Sequence, residues 1–474
     1  MSVLDELRSA FPDLVTDPDI LVSLGRDSAD LFGDDKTGSP LAAIRPTTTE
    51  QVATAVRIAA AHGLPVVPQG ARTGLAGGAN AIDGALLVCL DRMDRIVEID
   101  VANRVAVVQP GVVNATLRRA VAEQGLFYPP DPSSYEMSTI GGNVSTNAGG
   151  MCCVKYGVTT EYVLGLEVVL ADGSILRCGR RTAKGVAGYD LTRLFVGSEG
   201  TLGIITEITL SLRPAPPPAL TLVAMFDSLR DAGAAVAAIT ASGVVPSMLE
   251  LLDKVQLQAI EAYRPMGLAV ETEAMLLVAS DAAGADPRLR PTEGAGAQLA
   301  AVDELCRTAG AVEVYVASDV DEAEALQGAR RLSHPAMVQL AKTTYGPSGE
   351  VIIEDCAIPR SSMADFCEAL QRVAAQRGVI IGVVGHVGDG NLHPKILMDR
   401  TNAALMEAAR LAFDDIMALT LSLGGTCTGE HGVGLLKRDW LAREIGPVGM
   451  RVHRAIKTAL DPANLMNPGK VIPD

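Results

Sequence analysis

Pro68-Gln-Gly-Ala-Arg-Thr-Gly-Leu-Ala-Gly-Gly78 and Ser138-Thr-Ile-Gly-Gly-Asn-Val-Ser-Thr-Asn-Ala-Gly-Gly150 are the stretches that decide the fold. The first follows Leu64–Val67, a short apolar run that reads as a strand. Its glycines let successive backbone N–H groups turn inward around a pyrophosphate, and Thr73 adds a hydroxyl. Glycines at 70, 74, 77 and 78 do not have Rossmann spacing, and no Gly-Lys-Ser/Thr follows. The second stretch is too rich in Gly, Ser, Thr and Asn to be ordinary core. It reads as an extended path of backbone donors and small hydroxyls, suited to a large, flat, polar ligand with phosphates. A third glycine-rich stretch, Val196-Gly-Ser-Glu-Gly-Thr-Leu-Gly-Ile204, precedes another strand. Three such loops point to a bound nucleotide-like ligand.

Composition bounds the remaining choices. The 474 residues are 48% hydrophobic and 20% charged, which implies a globular chain of roughly two to four domains. Forty Lys and Arg against 56 Asp and Glu give a net charge of −16. Nucleic acid and anionic membrane are therefore poor partners, and an anionic substrate needs a locally basic pocket. No apolar run is long enough to span a membrane, and the N-terminus does not read as a signal peptide. Eight cysteines, of which only Cys152 and Cys153 are close together, suggest a reducing cytoplasm and no disulfide framework.

The chain reads as α+β. Residues 1–36 form a helical lead-in. From Pro40 a short strand, an amphipathic helix opened by Thr48 and a second strand make a strand–helix–strand unit. Short Val/Ile/Leu strands follow up to Leu212. Arg213-Pro-Ala-Pro-Pro-Pro-Ala219 then breaks the pattern as a stiff linker. Beyond it, strands alternate with Ala-rich helices, as expected of a sheet with helices packed on one side. Gly284–Gly296 reads as a surface excursion. The expected domains are 1–36, 37–215, 216–424 and a motif-dense C-terminal segment, 425–474.

Taken in order, PQGARTGLAGG, STIGGNVSTNAGG and GYDLTRLFVGSEGTLGIIT resemble the flavin domain of FAD-linked oxidases. The likeness is to the vanillyl-alcohol oxidase and p-cresol methylhydroxylase superfamily. Within it, the branch holds the glycolate oxidase flavin subunit and the D-lactate and D-2-hydroxyglutarate dehydrogenases. It runs from about Pro40 to the C-terminus. It implies a two-subdomain FAD-binding domain of p-cresol methylhydroxylase type, a cap with a large antiparallel sheet, and a C-terminal segment that returns to the flavin. By this resemblance Pro68, Gly70, Ala71, Arg72, Thr73, Gly74 and Leu75 wrap the pyrophosphate. Pro130, Ser138, Thr139, Gly142, Asn143, Ser145, Thr146, Asn147 and Gly149 pass the pyrophosphate and isoalloxazine. Glu199, Gly200, Gly203 and Ile204 lie near the adenosine and flavin edges, and Asn467 comes from the returning segment. Some relatives attach FAD covalently through His or Cys. Here Arg72 stands where a loop His could sit, the loop has no Cys, and His62 reads as a surface residue, so non-covalent FAD is expected.

Two late motifs carry histidines: Gly385-His-Val-Gly-Asp-Gly-Asn-Leu-His-Pro394 and Gly425-Thr-Cys-Thr-Gly-Glu-His-Gly-Val-Gly434. A strand ending near Gly385, a tight turn at Gly388-Asp389-Gly390 and a returning strand from Asn391 bring His386 and His393 to one end of a hairpin. Two histidines with the carboxylate of Glu430 suit Zn²⁺ or a similar divalent ion. The resemblance implies the same ligands, His386, His393 and Glu430, and makes His431 the catalytic base. It places Arg330 as the anchor for the substrate carboxylate, although Gln327 stands where the family usually has Trp. Asn391 is positioned to orient the substrate or a ligating histidine, and His334 lies one turn beyond Arg330.

The expected activity is FAD-dependent oxidation of a D-2-hydroxy acid, D-lactate or glycolate-like, to the 2-oxo acid. Hydride passes to flavin N5. The sequence has no iron–sulfur or haem pattern, so a separate electron acceptor is implied: a quinone, a cytochrome or an electron-transfer flavoprotein. A homodimer is compatible with this reading. Alternatives are a D-2-hydroxyglutarate dehydrogenase, an oxidase using O₂, a flavin-free metallohydrolase built on the histidine pair, and a catalytically silent flavoprotein. Relatives acting on dicarboxylates carry a Lys six residues before a strand Pro. Anchored on Pro359, that position is Ile353, and Lys342 is eleven residues away. A monocarboxylic substrate is therefore expected.

Overall fold

The computed structural model describes residues 2–29, 37–283 and 293–473. The lead-in residues 30–36 and most of the expected excursion, 284–292, lie outside the described residues. The chain divides into two compact units, one of Met1–Gly149, Val158–Ala215 and Glu430–Asp474, the other of Gly150–Gly157 and Pro216–Gly429. Among the described residues no helix is long and apolar enough to cross a membrane.

The glycine-rich unit is built on two sheets. In the first, the strands Ala42–Ile44, Leu86–Cys89 and Val66–Gln69 run parallel, with Leu86–Cys89 in the middle. Thr48 caps the helix Thr49–Ala61 by accepting the backbone N–H of Gln51. Strand side chains alternate between faces. Ala42, Ile44, Val66, Leu86 and Val88 pack on Val52, Val56 and Ala59 of that helix and on Leu7 and Phe11 of the lead-in. Ala43, Val67, Leu87 and Cys89 face the other way, onto Leu21 and Ala81. The second sheet is antiparallel, in the order Ile96–Asp100, Val105–Val108, Ile204–Ser211, Val163–Val169, Ile175–Gly179.

One expectation for this unit is overturned. The second glycine-rich stretch does not run extended; Ile140–Thr146 is a helix. Thr139 caps it by accepting Gly142 N–H, and Asn147 ends it in the left-handed conformation. Its Ile140, Gly141, Asn143 and Val144 are buried. A local cap thus outweighs the helix-breaking tendency of two adjacent glycines.

The other unit is an antiparallel sheet. The order is Ala311–Val316, Leu220–Phe226, Ala274–Ser280, Met248–Asp253, Ile381–His386, Asn391–Asp399, Gly349–Ile353, and the short strand Cys356–Ala357 also pairs with Asn391–Asp399. The helices Leu229–Ala241, Glu293–Thr308, Met363–Arg377 and Ala403–Ser422 form a layer on the face to which Leu251, Leu276, Val383 and Ile396 point. On the alternate face, Leu252, Val384 and Leu397 pack against Leu257 and Ile260, Leu326, and Met337. These come from the helices Lys254–Tyr263, Val320–Arg331 and Ser333–Tyr345.

The outer helical layer depends on a close approach at Gly233, where an added Cβ would lie 2.8 Å from the backbone N and Cα of Ala364. Gly→Ala inside a helix ordinarily stabilises by up to about 1 kcal/mol. Here the clash with backbone, worth about 1–3 kcal/mol, wins. Gly233→Ala is expected to lower the denaturant midpoint of the protein; a raised midpoint would show that the two helices separate freely.

Candidate active site

In the glycine-rich unit the three loops fold against one another. Gly70 sits so close to the second loop that a Cβ would lie 2.6 Å from Thr139 Oγ1. The third loop joins by backbone bonds, Gly197 N–H to Val144 O at 2.9 Å and Glu199 N–H to Ser145 O at 2.8 Å. Arg72, Asn147, Glu199 and Asn467 all have positive φ, at 58°, 54°, 50° and 42°. Such conformations cost of order 1–3 kcal/mol each and persist where surrounding structure imposes them. Here they mark the three loops and the C-terminal segment. That segment is tied in by Asn467, which donates to Gly78 O and Glu199 O at 2.9 and 2.7 Å, and by Lys470, which donates to Asn80 O at 2.6 Å.

Glu199 is buried beneath these contacts. Its carboxylate accepts Val433 N–H at 2.7 Å and Gly434 N–H at 2.9 Å. Burial pushes its pKa up to about 7 against the pull of those two donors. Lys470 is brought down to about 8 by the same burial. His431 and Glu430 belong to this unit, with Nε2 of His431 3.6 Å from Oε1 of Glu430.

In the sheet unit, strand register assembles a polar cluster on an otherwise apolar face. The pairs His386↔Asn391 and Val384↔His393 place His386, Asn391 and His393 on the same face of the hairpin. The imidazole rings are 5.1 Å apart, nearly perpendicular. The pair Leu251↔Gly385 puts Glu250 opposite His386, and Nδ1 of His386 lies 2.7 Å from Oε1 of Glu250. A carboxylate oxygen only accepts, so Nδ1 carries the proton and Nε2 is the nitrogen able to bind a ligand. The other oxygen of Glu250 accepts Nε–H of Arg330 at 2.6 Å. Glu250 is completely buried and Arg330 is 4% exposed. Nη2 of Arg330 has no hydrogen-bond partner among the described residues.

Further along the same face, Asp355 Oδ1 is 3.6 Å from Nδ1 of His393. Its Oδ2 accepts the Thr428 hydroxyl at 2.7 Å and Gly429 N–H at 2.9 Å. Lys395, two residues past His393, donates to Ser333 Oγ at 2.5 Å, and that hydroxyl donates to Gln256 Oε1 at 2.8 Å. Burial, reinforced by the charge of Arg330, holds the Lys395 ammonium well below its usual pKa. His334 is held down to about 4, by burial and then by Lys395. Gln327 Nε2 reaches the Thr221 hydroxyl at 3.4 Å. Within this unit the structure thus brings together His386, His393, Asn391 and Arg330. Sequence reading missed Glu250, Asp355 and Lys395. The signal was present for two of them, as a lone acid in Met248-Leu-Glu-Leu-Leu and a lone base in Pro394-Lys-Ile-Leu-Met, charges inside buried strands.

Residues 40–179 match the FAD binding domain family, and residues 215–471 match the C-terminal domain of FAD linked oxidases. This chain belongs to the FAD-linked oxidases. It is 43% identical over 432 residues to the glycolate oxidase subunit GlcD of Bacillus subtilis, covering 91% of this chain and 89% of that one. It is 34% identical over 441 residues to a D-lactate dehydrogenase of Anaerostipes hadrus, again covering 91% and 89%. The fold of this FAD-linked oxidase is that of p-cresol methylhydroxylase, solved with substrate bound, at a TM-score of 0.78 and 19% identity over 100% of this chain and 96% of the other. The 4-ethylphenol oxidase of Gulosibacter chungangensis has a TM-score of 0.77 at 20% identity, covering 100% and 97%. The architecture expected from the three glycine-rich motifs is therefore correct, and FAD is the cofactor.

Glu199 yields a pH prediction for the cofactor-free protein. Its folded pKa of about 7 lies above the ordinary 4.5. Between those values the unfolded chain has lost its proton while the folded one keeps it, so stability falls as pH rises through the window. The shift corresponds to roughly 3 kcal/mol at full ionisation. Thermal midpoints of the wild type and Glu199→Gln, measured from pH 4.5 to 7.5, should show a downward wild-type slope that is shallower in the variant. Parallel slopes would mean that Glu199 is solvated.

Proposed function

We propose that this chain oxidises a D-2-hydroxy acid to the corresponding 2-oxo acid. The observation that carries the reading is the shared carboxylate of Glu250, which fixes Arg330 and His386 on one buried face. A guanidinium with an unmatched buried N–H suits a carboxylate, which pairs with planar forks in two parallel bonds. The relatives named for glycolate and D-lactate oxidation support the same class.

FAD, bound without a covalent link, would supply the hydride acceptor at flavin N5. Arg330 holds the substrate carboxylate and sets which face of the carbinol carbon is presented. His431 takes the hydroxyl proton as hydride leaves the adjacent carbon, so charge does not build up on the oxygen. Asn391, whose buried Oδ1 lacks a hydrogen-bond partner among the described residues, orients the hydroxyl end of the substrate. Electrons then leave to a separate acceptor, a quinone, a cytochrome or an electron-transfer flavoprotein.

The donor set also fits a divalent metal. His386 is backed through Nδ1 by Glu250, the outer-shell arrangement that presents Nε2 to an ion, and Asp355 stands behind His393. His386 and His393, with Glu430 next in sequence to the anchored Gly429, would hold Zn²⁺ or a similar ion, whose chemistry is to acidify the substrate hydroxyl.

Two measurements test the reading. His431→Ala should keep its FAD and reduce it about 10²–10⁴-fold more slowly with substrate under anaerobic conditions; an unchanged rate would remove His431 from the base role. Metal analysis should find about one divalent ion per chain. His386→Ala should lose it, and Glu250→Gln should bind it about 10–100-fold more weakly. A metal-free protein that keeps full activity after chelation would leave these histidines a hydrogen-bonding role.

A further inference from the structure

We propose that Glu199 is the positioning residue for His431: its carboxylate fixes the backbone turn that carries the base. The proposal rests on the base role of His431 and adds what holds that base in place. Each polar group of Glu199 engages a different segment of the glycine-rich unit. Its N–H donates to Ser145 O at 2.8 Å, and its carbonyl accepts the side-chain amide of Asn467 at 2.7 Å. Its carboxylate reaches the segment that follows His431, where Oε1 accepts Val433 N–H at 2.7 Å and Oε2 accepts Gly434 N–H at 2.9 Å. These are the second and third residues after the base. The third glycine-rich stretch, read from sequence only as part of a cofactor cradle, thereby gains a second task.

The residue type matters at this position. An ionised carboxylate accepts on both oxygens, and its bonds to backbone N–H groups are about twice as strong as neutral ones. An amide has one acceptor oxygen, and its NH₂ would face a backbone N–H. An apolar side chain would leave two buried N–H groups unpaired. The turn is shaped to receive this partner. Gly432 has a φ of 85°, and a Cβ there would lie 2.8 Å from Glu199 Oε1. A Cβ on Gly434 would lie 2.1 Å from Ala76 O, in the first glycine-rich stretch. That same carbonyl accepts Leu435 and Leu436 N–H at 2.8 and 3.1 Å, and Val471 N–H donates to Gly434 O at 2.9 Å. Residues 433–436 are thus held through their backbone, and the carboxylate supplies the bonds two and three residues from His431. A general base works only within hydrogen-bond reach of the proton it takes, and a misplacement of about 1 Å costs of order 10²-fold. Loss of the carboxylate is therefore felt as loss of the base, with FAD and substrate affinity kept.

The test is a double-mutant cycle on the FAD-loaded protein. The readout is anaerobic single-turnover flavin reduction by D-lactate or glycolate, whichever reduces the wild type faster. Glu199→Met, close in shape but without acceptors, should slow the limiting rate about 10–100-fold. Its FAD content should match the wild type, and its half-saturating substrate concentration should stay within about threefold. In a His431→Ala background the same substitution should cost less than about threefold, since no base is left to misplace. Glu199→Gln, which keeps one acceptor, should fall between wild type and Glu199→Met, and it carries the cycle if the Met variant does not fold. Hydrogen exchange gives a readout that needs no turnover. The amides of Val433 and Gly434 should exchange at least about tenfold faster in the variant, while those of the strand Ile204–Ser211 keep their wild-type protection. The assignment is overturned by a variant that releases its FAD, that slows His431→Ala as much as it slows the wild type, or that leaves exchange at Val433 and Gly434 unchanged. Wild-type reduction by His431→Ala itself would instead overturn the base reading, and the positioning role with it.

Discussion

The carboxylate of Glu250 is the constraint on which the sheet unit's polar face depends. A fully buried carboxylate is tolerated only when its oxygens are used, and here one takes the His386 ring and the other the Arg330 guanidinium. The shared group does more than neutralise. It fixes the tautomer of one candidate ligand and the rotation of the candidate substrate anchor, which come from a strand and a helix far apart in sequence. Removing it would leave two buried bases facing each other. That cost, more than any net gain from the pairs, keeps the arrangement unique.

The glycine-rich unit follows a different logic. Among the described residues its loops carry no comparable salt bridge; they are held by backbone-to-backbone bonds and by a carboxylate, Glu199, that accepts two backbone N–H groups. Six described non-glycine residues with positive φ, Arg72, Asn147, Glu199, Asn464, Asn467 and Val471, are spread over the three loops and the C-terminal segment. Each is a local cost that the rest of the unit must offset. Strain gathered in this way, around segments that match an FAD binding domain, is consistent with a cradle shaped before the cofactor arrives.

Much of the fold was legible because its signals are local. Thr48 before an apolar period predicted the helix Thr49–Ala61, and Gly388-Asp389-Gly390 predicted the turn that sets His386 beside His393. The second glycine-rich stretch was misread because its helix depends on a single cap at Thr139 and on burial of Ile140 and Val144, neither of which composition reveals. The roles of Glu250 and Asp355 escape the sequence for another reason. Their meaning lies in register, and register between strands more than a hundred residues apart, such as Met248–Asp253 with Ile381–His386, cannot be counted along the chain. Lys395 shows the same limit, since its pairing with Ile353 is a matter of register.

The central claim is that this chain takes hydride from the carbinol carbon of a 2-hydroxy acid. Single-turnover reduction of the bound flavin under anaerobic conditions, with D- and L-2-hydroxy acids carrying hydrogen or deuterium at carbon 2, tests it most directly. The account predicts bleaching by the D-enantiomers and a clear slowing by deuterium. A flavin that stays oxidised with every 2-hydroxy acid, or that reduces equally fast with either isotope and either enantiomer, would contradict it.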